Sequence, residues 1–123
     1  MYVVSVEETF SAAHYLVGHP GKCEHLHGHN YTVRVSAQAE ELNAQGMVVD
    51  FGILKSELNK IIGELDHSLL NEHKAFTDGA PTAERIASYI SLSLHNALPA
   101  VSLTEVTVFE TEKNRASYYP DYS

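Results

Sequence analysis

The sequence has few cysteines, few cationic side chains and no long apolar run. Cys23 is the only cysteine among 123 residues, which excludes an internal disulfide. Lys and Arg number 8 against 16 Asp and Glu, and the net charge of −8 argues against a polynucleotide partner. No stretch approaches the roughly 18 apolar residues of a membrane span, and the first residues do not resemble a secretory leader. We therefore expect a cytoplasmic protein without nucleic-acid or membrane partners.

The length and composition are those of one ordinary globular domain. Hydrophobic residues make up 44% of the chain and charged residues 20%, which is the balance of a folded protein. A single core commonly takes about 100–200 residues, so nothing is left over for a second one. The sequence predicts a single domain over residues 1–123.

Alternation of apolar and polar residues predicts four strands. It is clearest over residues 29–39, where the odd-numbered positions are mostly apolar and the even-numbered ones polar. The same pattern predicts a first strand over residues 2–10 and a later one over residues 105–111, and residues 116–119 are suited to a short last strand.

Two amphipathic stretches predict helices between the second and third of these strands. Asp50 is placed to cap a helix with apolar residues at Phe51, Leu54, Leu58, Ile61, Ile62 and Leu65. A second helix is predicted to start at Thr82, to end before Pro99, and to bury Ala83, Ile86, Ala87, Ile90 and Leu94. The order β-β-α-α-β-β favours an α+β fold with the helices on one face of a sheet.

Three histidines gather where the first two predicted strands meet. His27 and His29 are two residues apart, which places both side chains on one face of a strand, and antiparallel pairing would bring His14 beside them. Three imidazoles at about 2.0–2.1 Å from zinc, with a fourth position open, make a catalytic site. Packing or surface histidines are the alternative reading, and the local spacing does not decide between the two.

Cys23 and the pair Asp66-His67 are the nearest groups suited to moving protons. A thiol beside Lys22 and near a divalent cation has a lowered pKa, although a lone cysteine is more often a small buried residue. Asp66 can hold the His67 imidazole in one tautomer as a proton carrier, and the alternative is a helix-ending turn with a solvated histidine. The remaining histidines, His19, His25, His73 and His95, are predicted to be solvent-exposed.

Glu110 continues the apolar face of the third predicted strand, where Val106 and Val108 also lie. A carboxylate there is costly unless a ligand or another donor satisfies it. The edge of a heterocycle with adjacent N–H donors, such as a pterin, would suit it in a two-point hydrogen bond.

Six short motifs together resemble the family of 6-pyruvoyltetrahydropterin and 6-carboxytetrahydropterin synthases over almost the whole chain. They occur in order as Phe10-Ser-Ala-Ala-His14, Cys23-x-x-x-His27-Gly-His29, Val49-Asp50-Phe51-Gly52, Leu65-Asp66-His67-x-x-Leu70-Asn71, Pro81-Thr82-Ala83-Glu84 and Val108-Phe109-Glu110-Thr111. The resemblance implies the tunnelling fold, a four-stranded antiparallel sheet with two helices on one face. It also implies that three chains close a barrel and that two trimers form a homohexamer.

The resemblance also implies the site. His14, His27 and His29 would bind Zn²⁺, and Cys23 would be the catalytic thiol with Asp66 and His67 as its partners, meeting it across a subunit boundary. Glu110 would anchor the pterin, and Thr82 and Thr111 would lie at the substrate. The implied substrate is 7,8-dihydroneopterin triphosphate, whose triphosphate leaves; Lys22, Lys113 and Arg115 are candidates for holding that group.

The motif spacing bears on the product. Three residues between Cys23 and His27 resemble the bacterial enzymes of the queuosine pathway, which form 6-carboxytetrahydropterin and acetaldehyde. Glu24 resembles a bacterial variant that forms 6-hydroxymethyldihydropterin for folate synthesis, alone or as a second activity. A pyruvoyl-forming enzyme, a zinc or pterin-binding module without catalysis, and an unrelated three-histidine hydrolase are the other readings. A hydrolase needs neither the thiol nor the pterin anchor.

Overall fold

The computed structural model describes residues 1–15 and 26–122, and His27 by its backbone alone. The predictions for Cys23 and Glu24, for the candidate phosphate contact Lys22, and for His19 and His25 therefore lie outside the described residues. In the described part five strands form one sheet in the order β3-β1-β2-β4-β5. The strands are β1 Tyr2–His14, β2 His27–Ala39, β3 Ser68–Leu69, β4 Ser102–Phe109 and β5 Arg115–Tyr118.

The two long strands β1 and β2 pair antiparallel along their whole length. The register runs from Tyr2 opposite Ala39 to His14 opposite His27. The even-numbered side chains of β1 and the odd-numbered ones of β2 face the core, as the alternation predicts; Val6, Phe10, Val33 and Val35 are buried there. Both strands extend beyond the predicted limits at the end where the histidines lie.

The sheet differs from the predicted four antiparallel strands by one short element. β3 has two residues and pairs parallel with β1, placing Ser68 opposite Ala12 and Leu69 opposite Ala13. The four predicted strands are present, and the sheet is mixed because of β3. Two 3₁₀ turns, Leu70–Glu72 and Lys74–Phe76, follow it. A strand of two residues has no periodicity, so the sequence pattern could not show it.

Two helices of the described chain pack on one face of the sheet, α1 Phe51–Leu65 against β1 and α2 Ala83–Ala97 against β4 and β5. The Asp50 side chain accepts a hydrogen bond from the Gly52 amide and caps α1 as predicted. All residues predicted to be buried in α2 are buried. In α1 the apolar residues of the helical spacing are buried except Phe51, which is 54% exposed.

The opposite face of the sheet is polar and carries its own side-chain contacts. Ser5 hydrogen-bonds Ser36 across β1 and β2, and Thr107 hydrogen-bonds Ser117 across β4 and β5. Among the residues that the structure describes, neither helix has the length and apolar character to cross a bilayer.

Candidate metal centre

Three side chains with metal-binding atoms meet at one end of the sheet. His14 is the last residue of β1, His29 lies near the start of β2, and Glu110 directly follows β4. One ligand atom from each lies within 4.8 Å of the other two. The His14 and His29 rings are stacked with their centroids 5.2 Å apart. Antiparallel pairing causes this convergence, because it sets the end of one strand beside the start of the next.

Glu110 reaches this group through the pairing of β2 with β4. Thr32 lies opposite Phe109, so the residue after β4 arrives beside the start of β2. Glu110 Oε1 lies 3.0 Å from His29 Nε2, and the two side chains are 32% and 18% exposed. A half-buried carboxylate at this position therefore has a nitrogen partner within the same chain. The strand predicted over residues 105–111 runs from Ser102 to Phe109 in the structure. Glu110 therefore lies just after the end of this strand.

The donor set fits zinc. Two imidazole nitrogens and a carboxylate oxygen are zinc's ordinary ligands in proteins. Of the predicted set His14, His27 and His29, the structure brings His14 and His29 together. His27 lies directly opposite His14 in the backbone register, and its side chain is outside the described atoms. The three-histidine set therefore stays a prediction, while the observed group is His14, His29 and Glu110.

Tyr31 belongs to this site and was missed by sequence reasoning. Its hydroxyl lies 2.6 Å from His14 Nδ1, and its ring meets the His29 ring edge-on at a centroid distance of 5.7 Å. The strand pattern placed Tyr31 on the apolar face and gave it no other role. A usable signal was its position two residues after His29, on the same face of the same strand.

Asp66 and His67 lie beside β1 in the turn that follows α1. Asp66 Oδ1 accepts a hydrogen bond from the Ser11 amide at 2.8 Å, which is the main cause that lowers the pKa of the Asp66 carboxyl. Its other oxygen lies 3.0 Å from His67 Nδ1. The carboxylate is thus placed to orient the imidazole, and a role of the pair in proton transfer stays a prediction. The His67 side chain is 84% exposed, so this contact is open to solvent within one chain.

His67 has a backbone conformation that is uncommon for residues other than glycine. Its φ angle is +54°, in the left-handed region. The conformation is held by a hydrogen bond from the His67 amide to the Ser11 carbonyl, next to the Ser11 amide that binds Asp66. A non-glycine residue kept in that region is a feature of sites under functional constraint.

Two cavities adjoin His29 on the described surface. One, of about 510 Å³, is lined by His29, Ser11 and His67 among others. The other, of about 650 Å³, is lined by His29, Glu110 and Thr111 among others. His29 therefore lines one cavity with His67 and another with Glu110.

Thr82 and Thr111, predicted to lie at the substrate, both have structural contacts. The Thr82 hydroxyl accepts from the Arg85 amide at 3.2 Å and caps α2, and Thr82 lines neither of the two cavities beside His29. The Thr111 hydroxyl accepts from the Asn114 amide at 3.0 Å in the turn between β4 and β5. A substrate role for either threonine stays a prediction.

The cap at Thr82 can be tested by its effect on stability. Thr82→Ala is expected to lower the free energy of unfolding by about 1 kcal/mol, and Thr82→Gly by only a few tenths, because glycine is tolerated at this position and alanine is not. Denaturant unfolding of both variants measures the difference. An alanine variant as stable as the original chain would show that the hydroxyl does not stabilise the helix.

The prediction that the other histidines are exposed is wrong for two of them. The His73 side chain is only 12% exposed; it packs on Phe76 and Tyr89 and lies 3.3 Å from Glu64. His95 is half-buried and stacks on Tyr122 with the ring centroids 4.1 Å apart. Both serve packing within the described residues and lie away from the metal centre.

Comparison with known proteins identifies the family of the chain over nearly its whole length. The sequence model of 6-pyruvoyl tetrahydropterin synthase matches residues 3–121. The chain belongs to that family. Among its relatives, a 6-carboxy-5,6,7,8-tetrahydropterin synthase from Synechocystis sp. is 37% identical, with 97% of this chain and 94% of the relative covered. One of the same name from Haemophilus influenzae is 32% identical, with coverages of 96% and 99%.

Solved structures of the pterin synthase family share the fold. The 6-pyruvoyl tetrahydropterin synthase of Caenorhabditis elegans superposes with a TM-score of 0.85 at 32% identity, covering 98% of each chain. The enzyme of the same name from Plasmodium falciparum, with a TM-score of 0.73 at 23% identity and 97% of each chain covered, shows the likeness of fold alone. The predicted α+β tunnelling fold is confirmed, and the chain is an enzyme of the pterin synthase family.

Proposed function

We propose that the chain is a zinc-dependent lyase that converts 7,8-dihydroneopterin triphosphate and water to 6-carboxy-5,6,7,8-tetrahydropterin, acetaldehyde and triphosphate, in the queuosine branch of 7-deazapurine synthesis. The observation that carries the proposal is that His14, His29 and Glu110 converge in one chain. That chain matches relatives named 6-carboxy-5,6,7,8-tetrahydropterin synthase over nearly its whole length. The two imidazoles suited to a metal ion and the Glu110 carboxylate suited to a pterin edge thus lie side by side.

Metal binding is assigned to the imidazoles. His14 and His29 would hold Zn²⁺, with His27 as the third ligand from the backbone position opposite His14. The chemistry that zinc supplies when bound is Lewis-acid polarisation of the hydroxyls on the substrate side chain. His14 is buried and His29 largely so, which shields the group from bulk water.

Proton transfer is assigned to Cys23, Asp66 and His67. The Cys23 thiolate and the His67 imidazole would move protons at the side-chain carbons next to the pterin ring. Asp66 holds His67 through Nδ1, which leaves the outer nitrogen of that exposed ring to face a substrate. Glu110 would accept two N–H groups of the pterin.

The proposal includes the homohexamer that the resemblance implies and a cytoplasmic location. Both edges of the sheet support assembly: β3 covers β1 only at Ala12 and Ala13, and β5 has a partner strand on one side alone among the described residues. Open edges are closed when three such sheets form a barrel. Light scattering tests this, and a stable monomer would contradict a site shared between chains.

Two other products have specific support. Glu24 directly follows Cys23 and favours 6-hydroxymethyl-7,8-dihydropterin for folate synthesis, alone or as a second product. The likeness to the C. elegans protein at 32% identity favours 6-pyruvoyltetrahydropterin. A zinc or pterin-binding module without catalysis is the alternative of another class.

Incubation of the zinc-loaded protein with 7,8-dihydroneopterin triphosphate, followed by mass analysis, tests all of these together. Carboxytetrahydropterin with acetaldehyde supports the proposal. A hydroxymethyl or a pyruvoyl product would contradict the proposal and support the corresponding alternative. Substrate that binds and stays unchanged would support the alternative of a binding module without catalysis.

Glu24→Ala tests the carboxylate beside the thiol. We expect the variant to keep carboxytetrahydropterin formation and to lose any hydroxymethyl product, because only the hydroxymethyl product is assigned to Glu24. The ratio of the two products by mass analysis is the measurement, and Glu112→Ala, at an exposed carboxylate, is the control. Equal loss of both products would show that Glu24 has only a structural role.

A further inference from the structure

Tyr31 is fully buried directly beneath the metal centre. Its exposed fraction is 0%, and its ring stacks on Phe10, the residue opposite it in β1, with a centroid distance of 4.8 Å and an angle of 11° between the planes. On its other side the ring contacts both His14 and His29, with centroids 6.3 Å and 5.7 Å away. The tyrosine is therefore held by packing, and its hydroxyl has little freedom to move.

The hydroxyl meets one particular nitrogen of His14. The distance from Tyr31 Oη to His14 Nδ1 is 2.6 Å, and both residues are buried. A neutral imidazole carries its proton on one nitrogen and binds a metal through the other, and a partner of the first nitrogen decides which is which. With Nδ1 engaged by Tyr31, Nε2 is the His14 nitrogen that would bind an ion.

We propose that Tyr31 is a positioning residue of the metal centre: its hydroxyl oxygen accepts the Nδ1 proton of His14 and so keeps the Nε2 lone pair directed at the ion. This inference rests on the proposed metal site and assigns a role to a residue outside the ligand set. In this role Tyr31 acts through the orientation and tautomer of His14.

The Tyr31 hydroxyl itself argues against a role in packing alone. A purely packing role would be filled equally well by phenylalanine, which avoids burying a hydroxyl. The hydroxyl at hydrogen-bond distance from a candidate ligand is the feature that packing does not explain.

Tyr31→Phe tests the inference because it removes the hydroxyl and keeps the ring that stacks on Phe10. We expect zinc affinity, measured by chelator competition, to fall about 10- to 100-fold, the usual effect of losing a partner of a ligating histidine. The visible absorption of the cobalt-substituted protein should shift as well, because the ligand field changes. Zinc affinity and cobalt spectrum equal to those of the unmodified protein would overturn the inference.

Tyr89→Phe is the matched control. It also removes a phenol hydroxyl, one that donates to Glu64 Oε2 at 2.7 Å, in the cluster with His73 and away from the metal centre. We expect this variant to lose some stability and to keep its zinc affinity. An equal loss of zinc affinity in both variants would mean that reduced stability alone causes the loss. This result would contradict the proposed role of Tyr31.

The tautomer of His14 can also be observed directly in the unmodified protein. Nitrogen-15 NMR of histidine-labelled, zinc-loaded protein, with His14→Gln used for assignment, reports which ring nitrogen carries the proton. We expect a proton on Nδ1 of His14 and none on Nε2. A proton on Nε2 would overturn the role of Tyr31 alone, whereas a protein that takes up no zinc would refute the proposed metal centre itself.

Discussion

Glu110→Gln is expected to lower kcat/KM for 7,8-dihydroneopterin triphosphate by roughly 30- to 1000-fold while the zinc content stays unchanged. The amide keeps the size of the side chain, but it replaces an acceptor oxygen by a donor that faces the N–H groups of the pterin. Truncating one partner of a buried charged hydrogen-bonded pair costs about 2–4 kcal/mol, which corresponds to this range. Steady-state kinetics together with metal analysis of the same preparation measure both quantities.

The zinc content decides between two roles for Glu110. The structure places its carboxylate 3.0 Å from His29 Nε2 and within the group that can hold a metal ion, while the proposal gives it to the pterin. Loss of zinc in the glutamine variant would make Glu110 a ligand and would contradict the anchor. Glu112→Gln is the control, because this exposed carboxylate lines the same cavity and its replacement changes the charge equally.

The parts of the fold that could be predicted are those in which apolar residues repeat at a regular spacing. The alternation over residues 29–39 places Val33, Val35 and Ala37 in the core, and the structure buries all three. The helical spacing in α2 is confirmed in the same way, and Asp50 and Thr82 act as caps. In each case local chemistry and global packing point to the same structure, which is the usual property of a sequence that specifies one fold.

The parts that could not be predicted depend on contacts between distant residues. The burial of His73 requires Tyr89 from α2 and Glu64 from α1, and nothing near His73 in the sequence reveals either. β3 exists because the turn after α1 brings Ser68 and Leu69 to the edge of β1. The Tyr31–His14 hydrogen bond depends on the register of β1 against β2, which alternation alone does not specify.

The candidate site shows the same division. Spacing and resemblance predicted roles for five residues of the described chain. The structure brings His14, His29 and Glu110 into one group and pairs Asp66 with His67. What spacing could not show is the conformation of each group. The contact of Glu110 with His29 and the left-handed backbone of His67 are both properties of the folded chain.

His67→Gly is expected to lower kcat by about 100- to 10,000-fold and to leave the chain at least as stable as before. The loss follows from removing a general acid/base, whose contribution is typically of that size. The stability follows from the φ angle of +54°, which glycine adopts without steric cost and histidine does not. The exposed contact with Asp66 that the variant loses contributes little to folding. Stopped assays and denaturant unfolding measure the two effects.

His67→Ala is the matched control, because it removes the same imidazole and keeps a Cβ atom in the left-handed region. Both variants should be equally inactive, and the glycine variant should be the more stable of the two by about 1 kcal/mol. A glycine variant less stable than the alanine variant would show that the backbone at His67 is not strained. A glycine variant that keeps most of its activity would remove His67 from the proposed chemistry. The combination of lost activity with retained stability is what separates a histidine kept for catalysis from one kept for folding.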